Sequence, residues 1–227
     1  MSARGRRTGR WMLLGALALG TPAFPLRAQS LGGGAMGYVV TRRVSYQGAV
    51  RQQTGMWVGV EGSVRLGMVT VGASGFFGKM AGDSAPATNP DLDMRVSNVW
   101  GRFNAAPWVD LGVILEARRQ ASAVGVTTWR LIGPMVRLTP SLGVSGLEGS
   151  AEVAYFASAS VVGGEAISPA LRATLGARYT PPGGHLEFAV GYRLERFDFA
   201  AMAGNPARLE QFSGIVAGAS VRLGRRR

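Results

Sequence analysis

The sequence predicts an all-β protein, folded as an up-and-down antiparallel barrel of ten strands. Three features predict it: apolar and polar residues that alternate with a period of two, turn signals between the alternating segments, and a composition poor in charge. Only 17% of the 227 residues are charged and 34 are glycine, whereas soluble domains average roughly 25% charged residues. We therefore expect part of the surface to face something other than water.

The first 28 residues predict an export signal. A basic stretch from Arg4 to Arg10 precedes the apolar run Trp11 to Leu19, and a proline-containing stretch then ends at Ala28. This order is typical of a secretory signal peptide for the Sec route, and the run is shorter than the ~20 residues of a membrane helix. We expect a signal peptide at 1–28, a short linker at 29–36, a barrel domain at 37–223 and a basic tail at 224–227.

Charge and cysteine content exclude several function classes. The net charge is +12, and it falls to +7 without the five arginines of the predicted signal peptide. The remaining basic residues are spread along the chain rather than clustered, so we expect no nucleic-acid partner. The chain has no cysteine, which excludes disulfides, a thiolate nucleophile and cysteine-ligated metals.

The alternation is clearest in the second half of the chain. From Leu171 to Tyr179, apolar residues at odd positions alternate with arginine, threonine and glycine at even positions. The segments His185 to Glu195 and Gly214 to Leu223 repeat the pattern. A period of two is that of a β-strand with two unlike faces.

Turn signals divide the body into ten such segments. The connections alternate between short turns, such as 104–107 and 181–184, and longer, more polar ones, such as 81–92 and 200–209. This alternation is typical of an up-and-down barrel. If the segment with Asn98 among its apolar residues does not span, the barrel has eight strands. The ten segments are 37–48, 55–65, 68–80, 93–104, 108–119, 125–138, 147–161, 169–180, 185–199 and 210–223.

The two strand faces favour a membrane barrel. One face is leucine, valine and tyrosine, and the other is glycine, alanine, serine and threonine with scattered ions of both signs, too few to solvate an exterior. Such ions suit a narrow lumen, where buried charges must be paired, and the apolar face then meets lipid. The predicted lumen-lining charges are Glu61, Arg65, Glu116, Arg118, Glu148, Glu152, Arg172, Arg178, Glu187, Arg193 and Glu195.

Aromatic residues cluster near the predicted strand ends, as the two aromatic girdles of a membrane barrel require. Trp100, Tyr155 and Tyr192 do not follow this tendency. The aromatics near the short turns are Tyr38, Phe103, Trp108 and Tyr179, and those near the long loops are Tyr46, Trp57, Phe76, Phe77, Trp129, Phe197, Phe199 and Phe212.

From residue 37 to 223 the chain resembles the small outer-membrane β-barrel proteins of Gram-negative bacteria. A signal peptide, alternating glycine-rich strands and a final amphipathic strand carry this resemblance. It implies a transmembrane barrel in the cell outer membrane, with outer-membrane lipid and the barrel-assembly machinery as partners. We expect a monomer.

The sequence offers little chemistry for catalysis. The single histidine, His185, follows the turn Pro181 to Gly184 and is expected on the periplasmic side, away from the long loops where a catalytic set would lie. Asp91 and Asp93 could bind Ca²⁺, but two acids in one loop are more often solvated. We expect no enzymatic activity, no cofactor, no metal and no catalytic residue.

Three functions are compatible with this sequence. The favoured one is a non-enzymatic barrel that is structural or a porin-like narrow passage for small solutes, with a packed interior preferred over an open pore because ten strands leave a small lumen. The second is a surface ligand-binding or adhesion protein, acting through loops at 83–92, 163–168 and 204–208. The third is a soluble periplasmic barrel that binds a small apolar ligand.

Overall fold

The computed structural model is a closed antiparallel β-barrel and describes residues 30–82, 91–123, 125–162, 167–201 and 206–224. Its wall has ten strands, as predicted, because two of its eleven strand segments are halves of one wall strand. The segments are β1 (Ser30–Tyr46), β2 (Ala49–Leu66), β3 (Val69–Ala81), β4 (Leu92–Ala106), β5 (Val109–Ser122), β6 (Gly125–Leu138), β7 (Leu147–Phe156), β8 (Ser158–Val162), β9 (Ala170–Tyr179), β10 (Leu186–Phe199) and β11 (Arg208–Gly224).

The strands are ordered as a meander, and the first strand closes the ring against the last. β1 pairs with β11 from Ser30 opposite Gly224 to Ser45 opposite Leu209. β5 and β6 pair along their whole length, so the sheet has no free edge at that point. In transmembrane β-barrels the periplasmic turns are short and the extracellular loops are longer. We therefore call the end with the 81–92, 162–170 and 199–208 connections the outer end.

The first strand is longer than predicted. Residues 30–36, expected as a linker, pair with both β2 and β11, since small inward residues such as Gly32 and Gly34 allow close approach of the neighbouring strands. The predicted signal peptide 1–28 and the last three residues of the predicted tail lie outside the described residues.

The predicted strand 147–161 is interrupted at Ala157. β6 pairs with β7 only at Met135 to Leu138 and with β8 only at Thr128 to Ile132. Between these ladders, the two residues Gly133 and Pro134 lie opposite three residues of the partner strand. The partner strand thus has one extra residue, as in a β-bulge. Because Pro134 has no N–H to donate to a ladder, we attribute the interruption to this residue.

The segment that raised the eight-strand alternative is a full wall strand, β4. Its Asn98 is buried in the barrel interior, where Nδ2 lies 3.3 Å from Ser74 Oγ. A polar residue is tolerated at the centre of this strand because it has a partner inside the barrel. The eight-strand alternative is wrong.

The leucine, valine and tyrosine face points away from the barrel axis. Leu175 is 69% exposed, and Val39 and Val60 are each 63% exposed. A soluble barrel would bury this face, so the soluble alternative is wrong, and the exterior suits the hydrocarbon of a bilayer. No helix among the described residues is long and apolar enough to cross a membrane.

The interior differs from the prediction in its outer half. The inward face was expected to carry small residues and ions, but towards the outer end it is filled by a packed apolar cluster. Its largest members are Tyr38, Trp57, Phe76, Met80, Met94, Trp129, Leu131, Phe156, Phe197, Phe199 and Phe212.

This cluster corrects the predicted aromatic girdle. The aromatics Tyr38, Trp57, Phe76, Trp129, Phe197, Phe199 and Phe212 were assigned to the lipid interfaces, yet each is at most 5% exposed inside the barrel. The girdle was predicted only from the closeness of these residues to the strand ends. Their odd or even position along each strand, its parity, instead places their rings on the inward face. The aromatics that do face outward and are at least 40% exposed are Phe77, Phe103, Trp108, Tyr155, Tyr179, Phe188 and Tyr192.

Candidate functional site: the barrel lumen

The lumen is divided into layers along the barrel axis. From the outer end inwards, these are an outer ion pair, a layer of aromatic rings, a central cluster of charges, and a vestibule lined by small residues and ions. The first three layers close the outer half, and the fourth opens towards the periplasmic end.

The outer ion pair joins β1 to β11. Arg42 donates to Glu210 Oε2 from Nε at 3.0 Å and from Nη2 at 2.7 Å. Its Nη1 donates to Gln53 Oε1 at 2.6 Å, and Arg208 Nε donates to Glu210 Oε1 at 3.0 Å. The two arginines compensate the charge of the Glu210 carboxylate, which is only 2% exposed.

Below this pair lies the aromatic layer, which we define as Tyr38, Trp57, Phe212, Phe197 and Trp129. Successive ring centroids in this order are 5.3, 5.9, 6.0 and 5.0 Å apart, and each ring is at most 2% exposed. Tilted and edge-on contacts of this kind are the preferred aromatic geometry. The rings come from β1, β2, β11, β10 and β6, so the layer crosses the lumen.

The central cluster, defined as Glu116, Arg118, Arg172, Arg193 and Glu195, is built around Arg118. The Arg118 side chain is fully buried and donates to Glu116 Oε1 from Nε at 3.1 Å and from Nη2 at 2.8 Å. Nη2 also donates to Glu195 Oε2. These bonds join β5 to β10 across the barrel.

Two further arginines complete the central cluster. Arg172 Nη1 donates to Glu116 Oε2 at 3.0 Å and to Asn98 Oδ1 at 3.3 Å, and its Nη2 lies 3.5 Å from Glu152 Oε1. Arg193 Nε lies 2.8 Å from Glu195 Oε1. When Glu152 is included, which is partly exposed, three arginines here face three carboxylates, so the charges of this group balance, as low-dielectric surroundings require.

The aromatic layer and the central cluster are packed against each other. The guanidinium carbon of Arg118 lies 4.7 Å from the Phe197 ring centroid, 4.9 Å from that of Phe212 and 5.5 Å from that of Trp129. Arg118 Nη1 has no hydrogen-bond partner in the described part of the chain. The ring faces give this cation the electrostatic contact that an acceptor would otherwise supply.

The vestibule is the periplasmic half of the lumen. Many of its inward side chains are only partly buried, although Arg102, Arg137 and Glu187 are at most 8% exposed. A closed wall admits solvent to such residues only through its end, so their partial exposure means that the vestibule is open below the central cluster. Members of this inward set are Glu61, Ser63, Arg65, Ser150, Thr174, Arg178 and Ser220.

Ion pairs in the vestibule lie at its mouth. Arg178 Nη1 donates to Glu187 Oε1 at 3.1 Å, and Arg222 Nη2 donates to Glu187 Oε2 at 2.9 Å. Arg65 Nε donates to the Gly67 carbonyl in the β2–β3 turn. Glu187 of β10 is thus bonded to arginines of both neighbouring strands, β9 and β11.

The structure thus sorts the eleven predicted lumen charges into three groups. Glu116, Arg118, Arg172, Arg193 and Glu195 meet in the central cluster, and Glu152 joins them through Arg172. Arg178 and Glu187 pair at the periplasmic mouth. Glu61 and Arg65 are half-buried on β2, whereas Glu148 is exposed at the start of β7.

Several inward polar residues were missed from the sequence. Gln53 and Gln120 share strand parity with predicted lumen residues of β2 and β5. On the other strands, the alternation itself was the signal that could have found the missed residues. The missed residues, all at most 8% exposed, are Gln53, Asn98, Arg102, Gln120, Arg137 and Glu210.

The residues considered for catalysis and for metal binding lie at opposite ends of the barrel. His185 is exposed at the periplasmic end, where Nδ1 lies 3.1 Å from the Arg222 carbonyl oxygen. Asp91 Oδ1 accepts from the Gly82 N–H at 3.2 Å. Within the described ranges, no group of three or more His, Asp or Glu side chains could hold a metal ion.

No family model and no curated protein matches the chain in sequence. In structure it is similar to the outer membrane protease OmpT from Escherichia coli, with 13% identity, a TM-score of 0.53, and coverage of 90% of this chain and 99% of that one. Other similar structures are the translocator domain of the autotransporter NalP from Neisseria meningitidis (14% identity, 86% and 88% coverage, TM-score 0.48) and Ail from Yersinia pestis (12%, 85% and 98%, 0.38).

The structural similarity concerns the fold. This chain has the fold of a bacterial outer-membrane β-barrel, and its exterior is apolar where such a barrel contacts lipid. Fold and exterior together place the protein in the outer membrane.

Proposed function

We propose that the protein is a structural, non-conducting component of the outer membrane, and neither a solute passage nor an enzyme. One observation carries this proposal: the aromatic layer and the central cluster cross the lumen without exposed side chains. Ions and solutes would have to displace rings packed 5–6 Å apart and separate buried ion pairs. The sequence also allowed a narrow passage for small solutes, and this packed interior disfavours it.

The positions of the histidine and of the buried carboxylates support the non-enzymatic part of the proposal. The single histidine lies at the periplasmic turn, and the carboxylates of the central cluster are each bonded to arginine. A carboxylate engaged with guanidinium groups is a poor general base, since its charge is already stabilised.

Single-channel recording in planar bilayers tests the closed lumen. We expect the wild-type protein to insert without conductance steps. The triple variant Trp129→Ser, Phe197→Ser and Arg118→Ser removes two rings from the aromatic layer and the arginine at the centre of the central cluster, and it should give steps. The control Tyr155→Ser and Tyr192→Ser removes outward rings and should not. Discrete conductance of the wild-type barrel would overturn the proposal.

Thiol labelling gives a second test that needs no ion flow. Because the chain has no cysteine, single variants Ser63→Cys in the vestibule and Ala154→Cys beside the central cluster can be compared in reconstituted vesicles. A charged maleimide should modify Ser63→Cys rapidly when it is added to the periplasmic side, and should leave Ala154→Cys unmodified. Equal labelling of both positions would contradict a closed outer half.

The loop-binding alternative stays a prediction. Most of the residues that carry it, 83–90, 163–166 and 204–205, lie outside the described part of the chain. Replacement of the three loops by short turns would test it, with loss of adhesion to host or abiotic surfaces as the supporting result and retained adhesion as the contradicting one.

A further inference from the structure

A row of three arginines lies on the outward face of β4, β5 and β6, near the outer end. Arg95 on β4 is directly opposite Arg119 on β5. Arg119 lies opposite Thr128 of β6. Arg130 is two residues further along β6 and is therefore the diagonal neighbour of Arg119. All three side chains are exposed.

Like charges opposite each other on neighbouring strands are destabilising. No carboxylate within 4 Å of these three guanidinium groups is found among the described residues. The nearest outward acid on β4, Asp93, lies opposite Lys79 of β3 and two residues from Arg95. The four cations of this surface therefore exceed the single carboxylate by three charges. Among the described residues no carboxylate offsets this repulsion, so an anion bound between the three guanidinium groups would relieve it.

Below Arg95 and Arg119 the same wall carries mainly small and apolar side chains. Ser97, Ala117, Arg130 and Ser160 face one another in register across β4, β5, β6 and β8, and three of these side chains are small. A crevice of about 420 Å³ forms along this row.

The lower border of the crevice consists of Val99, Leu115 and Ile132, which are also in register on neighbouring strands. These side chains are 43–52% exposed on the lipid-facing wall. The surface thus presents cations towards the headgroup level and an apolar groove on the hydrocarbon side.

We propose that this surface, defined as Arg95, Arg119, Arg130 and the crevice beneath them, is a binding site for a phosphate-bearing, acylated lipid of the outer leaflet. The guanidinium groups bind the phosphate through charge-assisted hydrogen bonds, and an acyl chain occupies the crevice. Charge complementarity and the apolar groove together select this occupant over a soluble anion, which would use the cations alone.

Native mass spectrometry of the detergent-solubilised protein with dioleoyl phosphatidic acid tests the site. We expect at least about tenfold tighter binding than of dioleoyl phosphatidylcholine, and at least about a tenfold loss in the Arg95→Gln, Arg119→Gln, Arg130→Gln variant. The matched control Arg43→Gln, Arg196→Gln removes outward arginines from β1 and β10 and should stay within about twofold of wild type.

A variant that fills the groove separates lipid binding from attraction of an anion. Ala117→Trp keeps every charge but occupies the crevice, so it should also weaken binding of phosphatidic acid. Competition by inorganic phosphate at concentrations equal to that of the lipid, or unchanged lipid binding in the triple arginine variant, would overturn the proposal. A heat-shift gel confirms that each variant is folded, and the single change Arg119→Gln serves if the triple variant is not.

Discussion

The two halves of the lumen are built from the same ten strands but packed in different ways. In the outer half, rings and ion pairs fill the space, and Arg118 is fully buried among them. In the vestibule, glycine, serine and threonine leave room, and Glu61, Arg65 and Arg178 are partly exposed. The stability of the barrel therefore depends on the outer half, while the periplasmic half can tolerate change.

The largest expected effect comes from the centre of the filled half. Arg118→Met leaves Glu116 and Glu195 without their shared partner and should cost about 3–5 kcal/mol of unfolding free energy, as loss of one member of a buried charge pair does. Urea unfolding in detergent micelles measures it. Arg65→Met at the half-buried vestibule is the control, and equal losses in the two variants would erase the distinction between the halves.

A slightly smaller effect is expected from the aromatic layer. Phe197→Ala opens a cavity between Trp129 and Phe212 and should cost about 3–4 kcal/mol, within the range for buried phenylalanine. Phe188→Ala, on the same strand but facing lipid, should cost less than half as much. The temperature at which the folded band disappears on a detergent gel ranks the two, and the reverse order would contradict the inward packing.

Overpacking gives a third, smaller contrast. Ala154 is fully buried beside the central cluster, whereas Ala189 lies on the inward face of the vestibule and is only partly buried. Ala154→Leu should destabilise the barrel by about 1–3 kcal/mol because there is no space for the added atoms. Ala189→Leu should be nearly neutral in the same urea titration, and a comparable loss would mean that the vestibule is also packed.

The smallest effect is expected at the periplasmic mouth. Arg178→Ala breaks one of the two ion pairs of Glu187, which keeps Arg222. Partly solvated pairs contribute about 0–1 kcal/mol, and added salt should reduce the difference from wild type further. A loss that is large and insensitive to salt would show that this mouth is as dry as the central cluster.

The sequence predicted the wall of the barrel well but its contents only in part. Alternation along Leu171 to Tyr179 fixes which residues share a face, and the scarcity of ions on the polar face favours an outward apolar face. The same rule places Arg118, Arg172 and Glu195 inside. Their meeting in one cluster could not be predicted, since it depends on strand tilt and stagger, which bring β5, β9 and β10 to one height.

The aromatic layer shows where the prediction went wrong. Trp57 shares strand parity with Glu61, and Phe197 shares it with Glu195, so parity assigned both rings to the lumen. The predicted girdle rested on the closeness of these rings to the strand ends, which does not distinguish the two faces of a strand. The interruption at Ala157 was missed for another reason: the effect of Pro134 acts on the neighbouring strand, which pairs with it only in the folded barrel.

The ladder between β1 and β11 also constrains how the protein can fold. Arg42 and Glu210, which are bonded across this ladder, are separated by 168 positions in the chain. Until β11 has formed, β1 remains an unpaired edge with donors and acceptors free, and long-range pairing of this kind is slow because so much chain must first be ordered. Closure is therefore the last step of folding, and a chain cut before β11 would expose an edge that invites pairing with a second molecule.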